Sequence, residues 1–108
     1  MAKSGFLTNS ALVLLHVGEH PTATHQEIAA AVHITPRAVQ SNLKLLQKAG
    51  LISKTKEGRG CRYRVDYRAV LKYQTSAPYT VQQLIAQLST LASQLEHARR
   101  RRRRSSRR

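Results

Sequence analysis

A chain of 108 residues with 41% apolar content has room for one small core, which excludes a multidomain enzyme. Its 19 Lys and Arg against 5 Asp and Glu leave a formal net charge of +14, a balance that points to a polyanionic partner, nucleic acid first. The charge is unevenly placed: residues 4–36 hold no Lys or Arg, residues 37–72 hold ten, and residues 99–108 hold eight arginines.

The first third therefore reads as scaffold. The single cysteine, Cys61, has no partner for an internal disulfide, so nothing suggests an oxidising compartment. The apolar run from Ala11 to Val17 is broken by His16, is far shorter than the roughly 20 residues a bilayer needs, and leads to no small-residue cleavage site. The expectation is a soluble cytoplasmic protein without membrane contact.

Ala11, Leu12, Val13, Leu14, Leu15 and Val17, with Thr8 and Asn9 as candidate caps and Gly18 and Pro21 beyond, predict a buried helix. Thr24 to Glu27 has the form of a capping box, so a short second helix starts there, with Ile28, Ala29 and Val32 as its apolar stripe. Thr35 precedes Pro36, which disfavours helical geometry at Thr35 and suits it to cap a third helix over residues 36–49. Val39, Leu43 and Leu46 form that helix's buried edge, and Ala49-Gly50 ends it. Only His33-Ile34 separates the second and third helices, which forces a tight crossing of the helix-turn-helix kind. A positive φ at His33 would cost energy that glycine would avoid.

The pattern then alternates. Residues 51–56, a Glu57-Gly58-Arg59-Gly60 tip, and Cys61, Tyr63 and Val65 set against Arg62 and Arg64 predict a basic β-hairpin. A loop through Gln74-Thr75-Ser76-Ala77-Pro78 leads to Thr80 and Gln83, a second capping box ahead of Leu84, Leu88, Leu91 and Leu95. The expected organisation is mainly α with a small β-hairpin. A winged helix-turn-helix domain over 6–75 precedes an amphipathic helix over 80–98, and the arginine-rich tail over 99–108 is expected to be disordered by its own repulsion.

This element order resembles the MarR-like winged helix regulators of bacteria, most closely a group of short single-domain proteins. The resemblance rests on Phe6-Leu7-Thr8-Asn9, Glu27-Ile28-Ala29, Ile34-Thr35-Pro36-Arg37-Ala38, Ala49-Gly50-Leu51-Ile52, Glu57-Gly58-Arg59, Arg62-Tyr63 and Tyr79-Thr80-Val81, and covers residues 6–88. It implies a regulator that binds double-stranded DNA, with the third helix in the major groove. Larger members carry extra helices on both sides for dimerisation and ligand binding; only one is available here, so no small-molecule effector of that kind is expected.

With the third helix in a groove, its base-reading groups are Thr35, Arg37, Ala38, Gln40, Ser41 and Lys44. Arg37 suits guanine and Gln40 adenine, whereas Thr35 and Ser41 suit phosphate. Arg59 at the hairpin tip, with Arg62 and Arg64, would follow the backbone or minor groove across residues 53–64; Lys54 and Lys56 could join them or simply be solvated. The tail would add salt-dependent, sequence-indifferent affinity. Leu84, Leu88, Leu91 and Leu95 either pair with a second copy or pack on the first helix of their own chain.

Two other functional classes remain open: a sequence-indifferent architectural protein of DNA or RNA, and a winged helix that docks an acidic protein. No nucleophile triad, carboxylate pair or phosphate loop points to an enzyme, and no cofactor is expected. His16, His20 and His25 have no converging Cys or acidic ligand, so no metal is assigned. Cys61 reads as a small inward hairpin residue rather than a redox switch.

Overall fold

The helices begin on side chains that accept a backbone N–H of the first turn. In the computed structural model, which describes residues 7–74 and 77–106, Thr8 opens α1 (Asn9–Glu19), Thr24 opens α2 (His25–Val32) and Thr35 opens α3 (Pro36–Lys48). Asp66 opens α4 (Tyr67–Lys72), its carboxylate accepting from Ala69 N at 3.1 Å, and Thr80 opens α5 (Val81–Ser106). Each cap satisfies one of the donors a helix start leaves unpaired. The box on α2 is reciprocal: Glu27 N donates to Thr24 Oγ1 at 3.1 Å, and Thr24 N donates to Glu27 Oε1 at 2.8 Å. Phe6, Thr75, Ser76, Arg107 and Arg108, which carry parts of the sequence reading, lie outside the described residues.

By its contacts the chain divides into two units, residues 1–70 and 71–108. The first unit has the winged helix order, three helices followed by β1 (Ile52–Glu57) and β2 (Gly60–Val65) in one antiparallel pair. Its core joins Val13 and Val17 of α1, Ile28 and Ala29 of α2, Val39, Leu43 and Leu46 of α3, and Leu51, Ile52 and Tyr63 of the hairpin. Leu15 was expected in this core but is 54% exposed, because it lies two residues from both Val13 and Val17, on the opposite face of α1.

The crossing of α2 and α3 depends on a residue in the left-handed region. His33 has φ 61° and ψ 43°, and Ile34 N donates back to Ala29 O at 3.2 Å. The end of α3 repeats the arrangement with glycine: Gly50 has φ 77°, and Leu51 N donates to Leu46 O at 3.0 Å. Both are six-to-one closures of the Schellman type, in which the chain reverses without leaving helix carbonyls unpaired. Only the second uses the residue that adopts this backbone without steric cost.

In the second unit Gln74 pairs with Thr80, and Val81 N donates to Tyr73 O at 3.1 Å. The box expected at Thr80 is present, with Thr80 N donating to Gln83 Oε1 at 2.8 Å. The expected disordered tail is not seen in residues 99–106: α5 is 26 residues long and continues through the arginines to Ser106. Arginine is a good helix former, cations are favourable at the negative end of a helix dipole, and extending a nucleated helix is easier than starting one. Those three effects offset the repulsion between neighbouring guanidinium groups.

Two substitutions separate the turns. His33→Gly should stabilise the fold and Gly50→Ala should destabilise it, each by about 1 kcal/mol, read from urea unfolding midpoints. The box at α2 predicts a pH effect. Hydrogen bonding from Thr24 holds the Glu27 carboxyl below its ordinary 4.5, so its contribution is complete above that pH and is lost as pH falls through the lowered value. Unfolding followed from pH 7 downward should show this loss in the native chain and less of it in Glu27→Gln, whose amide oxygen still accepts from Thr24.

Candidate nucleic-acid interface

Burying Val39, Leu43 and Leu46 fixes what α3 shows to solvent. Arg37, Ser41, Lys44 and Lys48 recur at i, i+4, i+7 and i+11 on the opposite side, and all four are exposed. Gln40 is exposed on one flank of this stripe, and Leu45, 59% exposed, on the other. Ala38 is partly buried. The hydroxyl oxygen of Thr35 accepts the cap bond from Ala38 N at 3.1 Å, so its proton is what it can offer a phosphate.

Lys48 escaped the sequence reading, although its spacing from Lys44 was visible; it was passed over as part of the helix end. Asn42 was also missed. Its amide donates to Ala38 O at 2.8 Å and its carbonyl oxygen accepts from Ser10 Oγ at 2.6 Å, a polar tie that holds α3 on α1.

Pairing in the hairpin runs Ile52↔Val65, Ser53↔Arg64, Lys54↔Tyr63, Thr55↔Arg62, Lys56↔Cys61 and Glu57↔Gly60. Directly paired residues share a face, so Lys54 and Lys56 stand with Tyr63 and Cys61, and Arg62 and Arg64 occupy the other side. Arg62 and Arg64 thus share the face expected of them, Arg59 stands at the tip, and Lys54 and Lys56, whose part in the wing was left open, lie on the opposite face. The turn is two residues, Gly58 with φ 56° followed by exposed Arg59, which has the glycine-first pattern suited to the twist of a hairpin.

Arg62 is not free. Its Nε lies 3.1 Å from Glu57 Oε2, an exposed pair worth little to stability but one that competes for the guanidinium. Arg64 lines an open groove of about 570 Å³ with Ser53, Asp66, Tyr67 and Arg68, and Arg68 too was passed over in the sequence.

Tyr63 anchors the hairpin to the helices. Its backbone N–H donates to Pro21 O at 2.8 Å, and its hydroxyl lies 3.5 Å from His25 Nε2. Burial pushes its phenol pKa up, and Lys54 opposes that shift.

Elsewhere the chemistry is sparse. Among the described residues no group of three or more His, Cys, Asp or Glu could hold a metal ion, and no helix is long and apolar enough to cross a membrane. His16 and His20 stack with centroids 4.7 Å apart. Cys61 is a free, partly buried thiol.

The family model described as MarR family matches residues 4–62. Among solved structures the chain is similar to MepR, a transcription regulator of the Staphylococcus aureus multidrug efflux pump MepA, with 16% identity and a TM-score of 0.53, over 86% of this chain and 63% of that one. It is also similar to the zinc-responsive MarR family member ZitR of Lactococcus lactis, with 23% identity and a TM-score of 0.48, over 87% of this chain and 62% of that one. The M. tuberculosis transcriptional regulator MosR matches at 21% identity and a TM-score of 0.46, over 81% of this chain and 77% of that one. The chain thus spans less than two thirds of the first two proteins, and the likeness to MepR is one of fold. No curated protein sequence matches the chain.

The Glu57–Arg62 pair carries its own prediction. Glu57→Gln should release the guanidinium and tighten binding of a random DNA duplex at low salt by a few-fold, with folding stability changed by less than about 1 kcal/mol. Fluorescence anisotropy and urea unfolding check the two halves.

Proposed function

The chain belongs to the MarR family, and from that premise we propose that it is a transcription regulator that binds double-stranded DNA and represses by blocking polymerase access. The observation that supports this most is the outward stripe of α3, Arg37, Ser41, Lys44 and Lys48 with Gln40 beside it, on a helix whose opposite edge is locked in the core.

α3 enters the major groove by its N-terminal half. Arg37 and Gln40 read base edges, and Thr35, Ser41, Lys44 and Lys48 hold phosphates. Partly buried Ala38 adds a small apolar surface at the same end. Arg59, carried on the two-residue turn, reaches the backbone or the minor groove; Arg62 joins once it leaves Glu57, and Arg64 and Arg68 add positive potential nearby. Lys54 and Lys56 act from the other face of the hairpin as phosphate contacts.

Arg99–Arg104 lie within α5 and add affinity through counterion release. The protein works in the cytoplasm at the nucleoid as a homodimer joined through Leu84, Leu88, Leu91 and Leu95, which are 39% to 66% exposed in the single chain. It needs no cofactor and catalyses no reaction.

Selection from a random duplex library at near-physiological salt should enrich an inverted repeat. Arg37→Ala with Gln40→Ala should abolish the enrichment while leaving residual binding. Replacing Arg99–Arg102 with Gln should keep the selected sequence but flatten the dependence of affinity on salt, by up to about 0.9 in logarithmic slope for each phosphate no longer neutralised. A native chain that enriches nothing would favour the architectural alternative.

A further inference from the structure

α3 is entered and left by the same backbone closure, and the two closures differ in the residue that makes them. Among the described residues His33 is the one non-glycine position with positive φ, whereas the closure after α3 uses Gly50. Both are completed by main-chain bonds, from Ile34 N to Ala29 O and from Leu51 N to Leu46 O, so the reversal itself asks nothing of a side chain. Histidine at the first site adds a Cβ that this backbone accepts only at a steric cost.

The imidazole gives the fold nothing in return. Ile34 packs against the core, while His33 and Thr35 on either side of it are exposed. No hydrogen bond, ion pair or ring contact joins the His33 side chain to another described residue. Residues 28–36 hold no Lys, Arg, Asp or Glu, so the side-chain donors on the approach to α3 are the His33 ring N–H and the Thr35 hydroxyl.

Where the two closures stand matters. His33 lies at the end of α3 that carries Thr35, Arg37 and Gln40, the end assigned to the duplex. Gly50 lies at the far end of the 13-residue helix, about 20 Å away. The strained residue is thus at the end that meets the partner and the strain-free one at the end that does not, the distribution expected when strain is kept for a function. Cα atoms two residues apart are separated by no more than about 7 Å, so the imidazole reaches the stretch of strand that Thr35 touches.

We propose that the His33 imidazole donates a hydrogen bond to a DNA phosphate beside the one held by Thr35, and that the strained turn is kept for this contact. The inference rests on the duplex-binding reading of the preceding subsection and adds to it a positioning group outside α3.

The test compares the full native chain with His33→Gly and His33→Asn, by urea unfolding and by fluorescence anisotropy on the duplex that the native chain enriches. His33→Gly should unfold at higher urea yet bind roughly three- to ten-fold more weakly, the worth of one hydrogen bond. A histidine serving only the turn would give a stabilised variant that binds as well as the native chain. Asparagine tolerates this backbone and keeps a side-chain N–H, so His33→Asn should recover part of the affinity. Replacing single phosphates of the duplex with uncharged methylphosphonates locates the contact whatever the stabilities: one replacement should weaken the native chain and leave His33→Gly unaffected. Equal affinities of the native chain and His33→Gly, or identical methylphosphonate profiles, overturn the contact and leave the regulator standing. A native chain that enriches no duplex overturns both.

Discussion

The buried edge of α3 is the constraint on which the rest of the molecule depends. Val39, Leu43 and Leu46 can leave water in only one orientation of the helix, and once they do, Arg37, Ser41, Lys44 and Lys48 must stand on the outside. Asn42 strengthens the choice from the side, since its carbonyl oxygen accepts from Ser10 of α1. The core of this small unit therefore does two things with one set of contacts: it supplies stability, and it selects which side chains are offered to a partner.

Keeping that helix in place takes backbone geometry as well as burial. The reversal before α3 is made at His33, and the reversal after it at Gly50, both with positive φ and both closed by a six-to-one hydrogen bond. Using histidine at the first site stores a small strain, held by the packing of Ile34 and by the caps on Thr24 and Thr35. The hairpin is fixed by other means: Tyr63 is bonded to Pro21 through its backbone and buried through its ring, and Asp66 N donates to Leu51 O at 2.9 Å across the hairpin's base. These contacts carry the basic turn on the same unit as α3.

Much of this was legible in the sequence because it rests on local signals. Thr24 with Glu27, Thr35 with Pro36, and Ala49-Gly50 each state a helix boundary through chemistry confined to a few residues. The hairpin's register was legible too: Arg62 and Arg64 were set against Cys61 and Tyr63 by alternation alone, and placing Glu57 opposite Gly60 also puts Lys56 opposite Cys61 and Lys54 opposite Tyr63, a step that would have fixed the face of the two lysines. What could not be read locally was the outcome of competing terms. Leu15 and Leu45 have the composition of core residues but the helical phase of surface ones. α4 was missed although Asp66 marks its start, because six residues carry too little periodicity to announce a helix. The arginines of α5 look like a disordered run when counted as charges, and like a helix when counted as continuations of a segment already capped and nucleated at Thr80.

Two cationic surfaces of different character result. One is short, shaped by the core, and mixes arginine and lysine with glutamine and serine; the other is a run of arginines with no hydrogen-bond variety. The central claim is that the first meets the bases of a duplex. Backbone and side-chain NMR shifts followed while the enriched duplex is titrated in at near-physiological salt test it most directly. The account predicts the largest changes at Arg37, Gln40, Ser41 and Lys44, together with Arg59. Changes confined to the arginines of α5, with α3 unmoved, would contradict it.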